Sequence, residues 1–125
     1  MALRNLSPEI QEKIKQLQNL QNQLQAIGSQ IDFSQGRVNE HKSTLKELEG
    51  VTDDVKLYKN VGQIMFSSTA SSIRKELSEE LELFDLNLNR LKKQEEQTKK
   101  QLTELNSYLN KVVASQSQTS QQSSS

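Results

Sequence analysis

The sequence predicts a mostly α-helical chain: a long antiparallel two-helix coiled coil whose helices are joined by a β-hairpin. Three observations carry this prediction. Apolar residues recur every seven positions in two long segments, a short block between them breaks that period, and apolar residues are too scarce for a globular core. Only 32% of the 125 residues are hydrophobic and 4% aromatic, against about 45–50% apolar in ordinary soluble domains. That supply fits a narrow seam between helices better than a compact interior. One proline and four glycines leave room for long uninterrupted helices.

The first helix starts at Ser7-Pro8-Glu9. Serine is a favoured N-cap, proline suits the first helical position, and an early glutamate faces the positive end of the helix dipole. Ile10, Leu17, Leu24, Ile31, Val38 and Leu45 then follow at strict sevens, with Lys13, Leu20, Ile27, Ser34, His41 and Leu48 as the interleaved set. All but Lys13, Ser34 and His41 are apolar, which is the pattern of a coiled-coil seam. Gly50 follows the last seam residue and suits the left-handed position after a helix end. Gly28 and Gly36 lie inside the helix and weaken its middle.

The second helix has several candidate N-caps in Ser67, Ser68, Thr69, Ser71 and Ser72. Its seam runs Leu77, Leu81, Phe84, Leu88, Leu91, Glu95, Thr98, Leu102, Leu105, Leu109 and Val112, with spacings that alternate four and three. Only Glu95 and Thr98 are polar. The acidic residues Glu76, Glu79, Glu80, Glu82 and Asp85 are dispersed around this helix and read as solvated surface.

Between the helices, Val55 to Lys59 and Gln63 to Ser67 are short, partly alternating apolar stretches around Asn60-Val61-Gly62. This reads as a hairpin whose turn holds those three residues, with Gly62 free to take a positive φ. A lone two-stranded hairpin is marginal in water and exposes unpaired edges. One that carries Val55, Leu57, Tyr58, Ile64, Met65 and Phe66 therefore points to coverage by other chains. The expected organisation is an N-terminal coiled-coil helix over 1–50, a hairpin assembly element over 51–68, a C-terminal coiled-coil helix over 69–114 and a disordered Ser/Gln-rich tail over 115–125.

Composition excludes several functions. Sixteen basic and 16 acidic residues balance to zero net charge, which leaves no basic face to displace counterions from nucleic acid. No cysteine is present and His41 is the only histidine, so thiol catalysis, disulfides and a Cys/His metal site are not expected. No phosphate loop, activated nucleophile or cofactor fingerprint is recognisable, so neither enzyme activity nor a cofactor is expected. The first residues form no signal-like apolar run and no stretch approaches membrane-spanning length. A soluble cytoplasmic protein without membrane or nucleic-acid partners is expected.

The order helix, hairpin, helix and the run from Asp53 to Phe66 resemble the β-type subunits of prefoldin. Tyr58, Val61 and Gly62, as Tyr-x-x-Val-Gly, are the most specific part, and Ile73 to Leu81 fit as well. The likeness covers about residues 5–113. Among eukaryotic β-type subunits it is nearest to the subunit 1 group, and archaeal β subunits share the same core. The resemblance implies a hexamer of α- and β-type subunits whose hairpins join into a central double β-barrel. It implies ATP-independent holding of unfolded proteins, such as actin and tubulin, and their delivery to the cytosolic chaperonin. Assembly would then use Val55, Leu57, Tyr58, Val61, Gly62, Ile64, Met65 and Phe66. Client holding would use the paired helix ends at Leu3, Leu6, Ile10, Ile14, Leu105, Leu109, Val112 and Val113. The competing reading is a coiled-coil adaptor or tether for one defined partner; it accounts for the sevens but not for the hairpin.

Overall fold

The computed structural model describes residues 7–124, with side chains described for residues 7–115. The element order is α1 (Pro8–Glu47), β1 (Lys56–Val61), β2 (Ile64–Thr69) and α2 (Ala70–Ser124). Two long helices flanking one antiparallel hairpin is the fold class the heptads and the connector predict. The chain divides into two compact units, one of residues 30–91 and one of residues 1–29 with 92–125.

Helix α1 starts as its first residues dictate: Ser7 Oγ accepts from the Ile10 N–H at 3.2 Å, and the Ser7 carbonyl accepts from the Gln11 N–H at 3.0 Å. It ends in a turn where the Leu48 carbonyl accepts from the Val51 N–H at 3.1 Å, with Gly50 at φ 83°. The N-cap of α2 is Thr69, whose Oγ1 accepts from the Ser72 N–H at 3.2 Å. Of the five hydroxyl residues on offer, the end of the second strand selects this one.

In the unit of residues 30–91, the core is the seam itself. Val38 is 1% exposed, and Leu88, Leu91, Ser34 and His41 are buried with it, as is Ala70 at the junction of β2 and α2. The helices pair antiparallel: His41 meets Glu80, and one heptad back along α1 Ser34 lies 3.5 Å from Asn87, one heptad forward along α2. His41 Nδ1 faces the Arg37 carbonyl at 3.1 Å and Nε2 faces Glu80 Oε2 at 2.7 Å. A backbone carbonyl and a carboxylate thus occupy the two ring nitrogens. The ring edge packs on Phe84, with centroids 5.2 Å apart. Arg37 completes the cluster over the rings of Phe33 and Phe84 at 5.5 and 5.9 Å, a cation–π geometry.

In the unit of residues 1–29 with 92–125, Ile10, Thr98 and Leu109 are buried. Lys13, Ile14, Leu17, Leu20, Leu24, Ile27, Gly28, Glu95, Leu102, Leu105 and Val112 are half-buried. From Lys92 to Ser115, no residue outside the predicted seam is less than exposed. Glu95 and Lys99 form the i,i+4 ion pair their spacing allows, at 3.9 Å.

Three details differ from the sequence reading. Val61 belongs to β1 and pairs with Ile64, so the turn is Gly62-Gln63 rather than Asn60-Val61-Gly62. Gly62 has φ 62° and no described non-glycine residue has positive φ, the combination of a type II′ hairpin turn. This turn relieves Val61 of a position β-branched residues avoid. Glu76 and Glu80 are not free surface: they hold Lys59 and His41. Helix α2 continues to Ser124 instead of stopping near residue 114; no glycine or proline follows Gly62, so the backbone meets no stop signal.

Two outcomes follow from the seam. A Cβ added at Gly28 or Gly36 meets nothing within 4 Å, so Gly28→Ala and Gly36→Ala should each stabilise by about 1 kcal/mol. That is a rise of roughly 3–5 °C in the circular-dichroism melting midpoint. His41→Leu should also raise the midpoint, by about 1 kcal/mol equivalent, because neither abandoned partner is stranded. The half-exposed Glu80 carboxylate returns to water, and the Arg37 carbonyl stays within the helix ladder. A lowered midpoint would mean that the polar cluster stabilises more than an apolar seam layer does.

Candidate functional site: the hairpin and its base

The hairpin's side chains follow from its register. Lys56 pairs with Thr69, Tyr58 with Ser67 and Asn60 with Met65; Leu57 pairs with Ser68, Lys59 with Phe66 and Val61 with Ile64. Side chains alternate across a strand, so Leu57, Lys59, Val61, Ile64, Phe66 and Ser68 share one face. Lys56, Tyr58, Asn60, Met65, Ser67 and Thr69 share the other. The second face is exposed throughout. The first is half-buried at its base, at Leu57, Lys59 and Ser68, and open towards the turn, where Val61, Ile64 and Phe66 are 55, 60 and 47% exposed. Val55, Tyr58 and Met65 are exposed as well.

Six of the eight sequence-predicted assembly residues are thus exposed large apolar side chains on one short element, Leu57 is half-buried, and Gly62 forms the turn. Among the described residues each strand pairs only with the other, so each keeps one unpaired edge of backbone N–H and C=O groups. Chemically the element offers two free ladders and an apolar face, the features that accept further strands and exclude water around them.

The base is held by polar contacts that sequence reasoning missed. Lys59 Nζ donates to both oxygens of Glu76 at 2.7 and 2.9 Å, which fastens β1 to α2. Ala70 N–H donates to the Val55 carbonyl at 2.9 Å and Ser71 N–H to the Asp53 carbonyl at 3.1 Å. Arg74 reaches the Leu48 and Val51 carbonyls at 3.0 and 2.9 Å and the Asp53 carboxylate. The only advance signal for Arg74 is that the last carbonyls of a helix need outside donors. Which donor arrives depends on the return path of the chain.

The predicted client-holding residues are arranged differently. Ile10 and Leu109 are buried, Ile14, Leu105 and Val112 are half-buried, and Val113 is exposed. Leu3 and Leu6 lie outside the described residues. Beside this seam a shallow groove of about 400 Å³ is lined by Glu9, Lys13, Gln16, Leu20, Gln101, Glu104, Leu105 and Tyr108. Among the described residues no group of three or more metal-ligating side chains comes together, and no helix is long and apolar enough to cross a membrane.

Comparison with known proteins points to one family. The family model described as prefoldin subunit matches residues 11–116. The prefoldin subunit beta of Pyrococcus furiosus is 35% identical over 103 residues, covering 82% of this chain and 88% of the relative. That of Methanothrix thermoacetophila is 38% identical over 104 residues, covering 83% and 87%. The crystal structure of the prefoldin beta subunit from Thermococcus strain KS-1 matches with a TM-score of 0.78 at 32% identity, over 86% of this chain and 95% of that one.

Proposed function

The chain belongs to the prefoldin β subunit family, and on that premise we propose that it is a subunit of a multi-chain co-chaperone that holds unfolded proteins without ATP. The observation that carries the reading is the hairpin: a water-exposed, mostly apolar two-stranded element with both outer edges unpaired. Such an element is poor design for a chain that works alone and good design for one strand pair of a shared barrel. The partners are then other prefoldin subunits of α and β type in a hexamer, in the cytoplasm. The interface residues are Val55, Leu57, Tyr58, Val61, Gly62, Ile64, Met65 and Phe66. The narrower likeness to the eukaryotic subunit 1 group belongs to the same reading.

Clients are non-native chains of the actin and tubulin class, passed on to the cytosolic chaperonin. Holding falls to the helix ends. Ile10, Ile14, Leu105, Leu109, Val112 and Val113, with Leu3 and Leu6, supply apolar groups with no fixed partner geometry, which suits many unrelated sequences. Ile10 and Leu109 are buried in the seam, so this reading requires the end of the seam to open when a client is taken up. No chemistry is asked of the chain, so it acts as a chaperone component and not as an enzyme.

Native mass spectrometry of the tagged protein isolated from its own cells tests the assembly. The expected result is a six-chain complex with related subunits; a homodimer, or a pair with one unrelated protein, sinks the reading. Phe66→Asp should abolish entry while helicity is retained, because a carboxylate forced unpaired into an apolar interface costs about 3–5 kcal/mol, a loss of 100-fold or more in affinity. Removing residues 1–8 and 110–125 should leave assembly intact and weaken suppression of client aggregation by several-fold. Undiminished suppression would take the helix ends out of client holding.

A further inference from the structure

One guanidinium joins three segments at the root of the hairpin. Arg74 on α2 donates to the carbonyl of Leu48, at the end of α1, and to that of Val51, in the connector, at 3.0 and 2.9 Å. Its second nitrogen holds the carboxylate of Asp53, which lies three residues before β1. The Arg74 side chain is 26% exposed and that of Asp53 is 83% exposed. The main desolvated contacts are therefore with the two carbonyls, and the carboxylate closes the fork from the solvent side. A planar guanidinium can serve three acceptors in fixed directions; an ammonium on a flexible stem cannot.

This matters for direction more than for folding. The hairpin's own apolar face is open towards its turn, so no packing there sets the angle at which it leaves the helices. That angle is set at the root by Arg74, by the Ala70–Val55 and Ser71–Asp53 backbone bonds, and by Lys59–Glu76. A strand of six residues at about 3.3 Å per residue is a lever of roughly 20 Å. A rotation of about 10° at its root moves the turn by roughly 3 Å, most of the ~4.8 Å spacing between paired strands. Small slack at the root thus becomes a ladder that does not meet its neighbour.

We propose that Arg74 is a positioning residue for assembly: it fixes the angle of the hairpin and so governs how well the chain docks into its complex. The inference rests on the reading of the hairpin as the assembly element. A residue that merely stabilised the end of α1 would lower assembly only as far as it lowered folding.

The test uses the full chain and the substitution Arg74→Lys, which keeps the charge and one or two of the bonds but loses the fork. Variant and wild type are expressed together at equal levels, the complex is isolated through another subunit, and their ratio in it is read by mass spectrometry. The chain has no cysteine, so paired spin labels at Gln63 and Glu82 report the hairpin-to-helix distance cleanly. The expected result for R74K is at least a tenfold deficit in incorporation, a broadened label distance, and a melting midpoint within a few degrees of wild type. Asp53→Asn, which keeps both carbonyl contacts, should show a deficit of less than fivefold. Equal incorporation of R74K, or a deficit matched by a collapsed midpoint with an unbroadened distance, overturns the proposal. A wild-type chain that enters no multi-chain complex removes the assembly reading and this inference with it. A wild type that assembles beside an R74K that assembles equally removes the inference alone.

Discussion

The chain has apolar material for one stripe per helix and little more, and the rest of the structure depends on that shortage. A stripe can be dried only by another stripe, so each long helix must return against a partner, and the connector must be short enough to bring it back. The buried residues show how little margin this leaves. In the unit of residues 30–91 they are seam positions plus Ala70, with Ser34 and His41 among them. Polar seam residues are poor at excluding water, yet each meets a polar side chain on the facing helix, His41 with Glu80 and Ser34 with Asn87. A shift of α2 that brought Ile73 to the level of His41 would leave the imidazole without its carboxylate. The cluster therefore favours the observed register even though an apolar layer would bury more surface, the best-attested use of polar groups in coiled coils.

The hairpin takes the opposite course. Its helices leave it no apolar cover beyond the base, and a hairpin of this size has little stability of its own in water. What holds it is polar: the backbone bonds at Ala70 and Ser71, the Lys59–Glu76 pair and the Arg74 fork. Because these contacts lie at the root, they secure the element without occupying Val61, Ile64 or Phe66. Cohesion within the chain and availability to other chains are thus assigned to different residues.

Much of this was legible in advance, for a physical reason. Seven-residue spacing is set by helix geometry alone, so every buried seam position among the described residues could be named from the sequence, down to polar Ser34, His41 and Thr98, whereas half-buried Ile14, Gly28 and Ile73 lay outside the named seam sets. Gly50 and Gly62 were legible because few other residues tolerate a positive φ. What escaped depends on partners far along the chain. Whether Val61 or Gln63 accompanies Gly62 in the turn is settled by cross-strand register, and both flank the same glycine. Whether Glu80 is solvent or ligand depends on the residue opposite it, and Arg74 finds its acceptors only after the chain has reversed. The hairpin's exposure could be anticipated from the weakness of a lone strand pair, and the residues proposed for assembly and client holding stood out only as apolar residue types. The burial of Ile10 and Leu109 could not be separated from that of any other seam residue.

That burial separates two kinds of binding on the proposed reading. The hairpin presents its apolar groups already in water and already in strand geometry. Docking there need not break an internal contact, and the affinity can be high and the partner specific. The helix ends hold most of their apolar groups in the seam, so each client contact must first open part of it. Terminal turns of a helix pair fray at low cost, and the gain from a client's apolar side chain offsets the loss of the internal one it replaces. The net affinity per contact is then small, and release is as easy as capture. A chain that must hold many sequences and keep none is served by that balance, whereas a chain that must stay in its complex is served by the other. On that reading one sequence serves both because its apolar residues are placed in two ways, paired along the helices and unpaired on the hairpin.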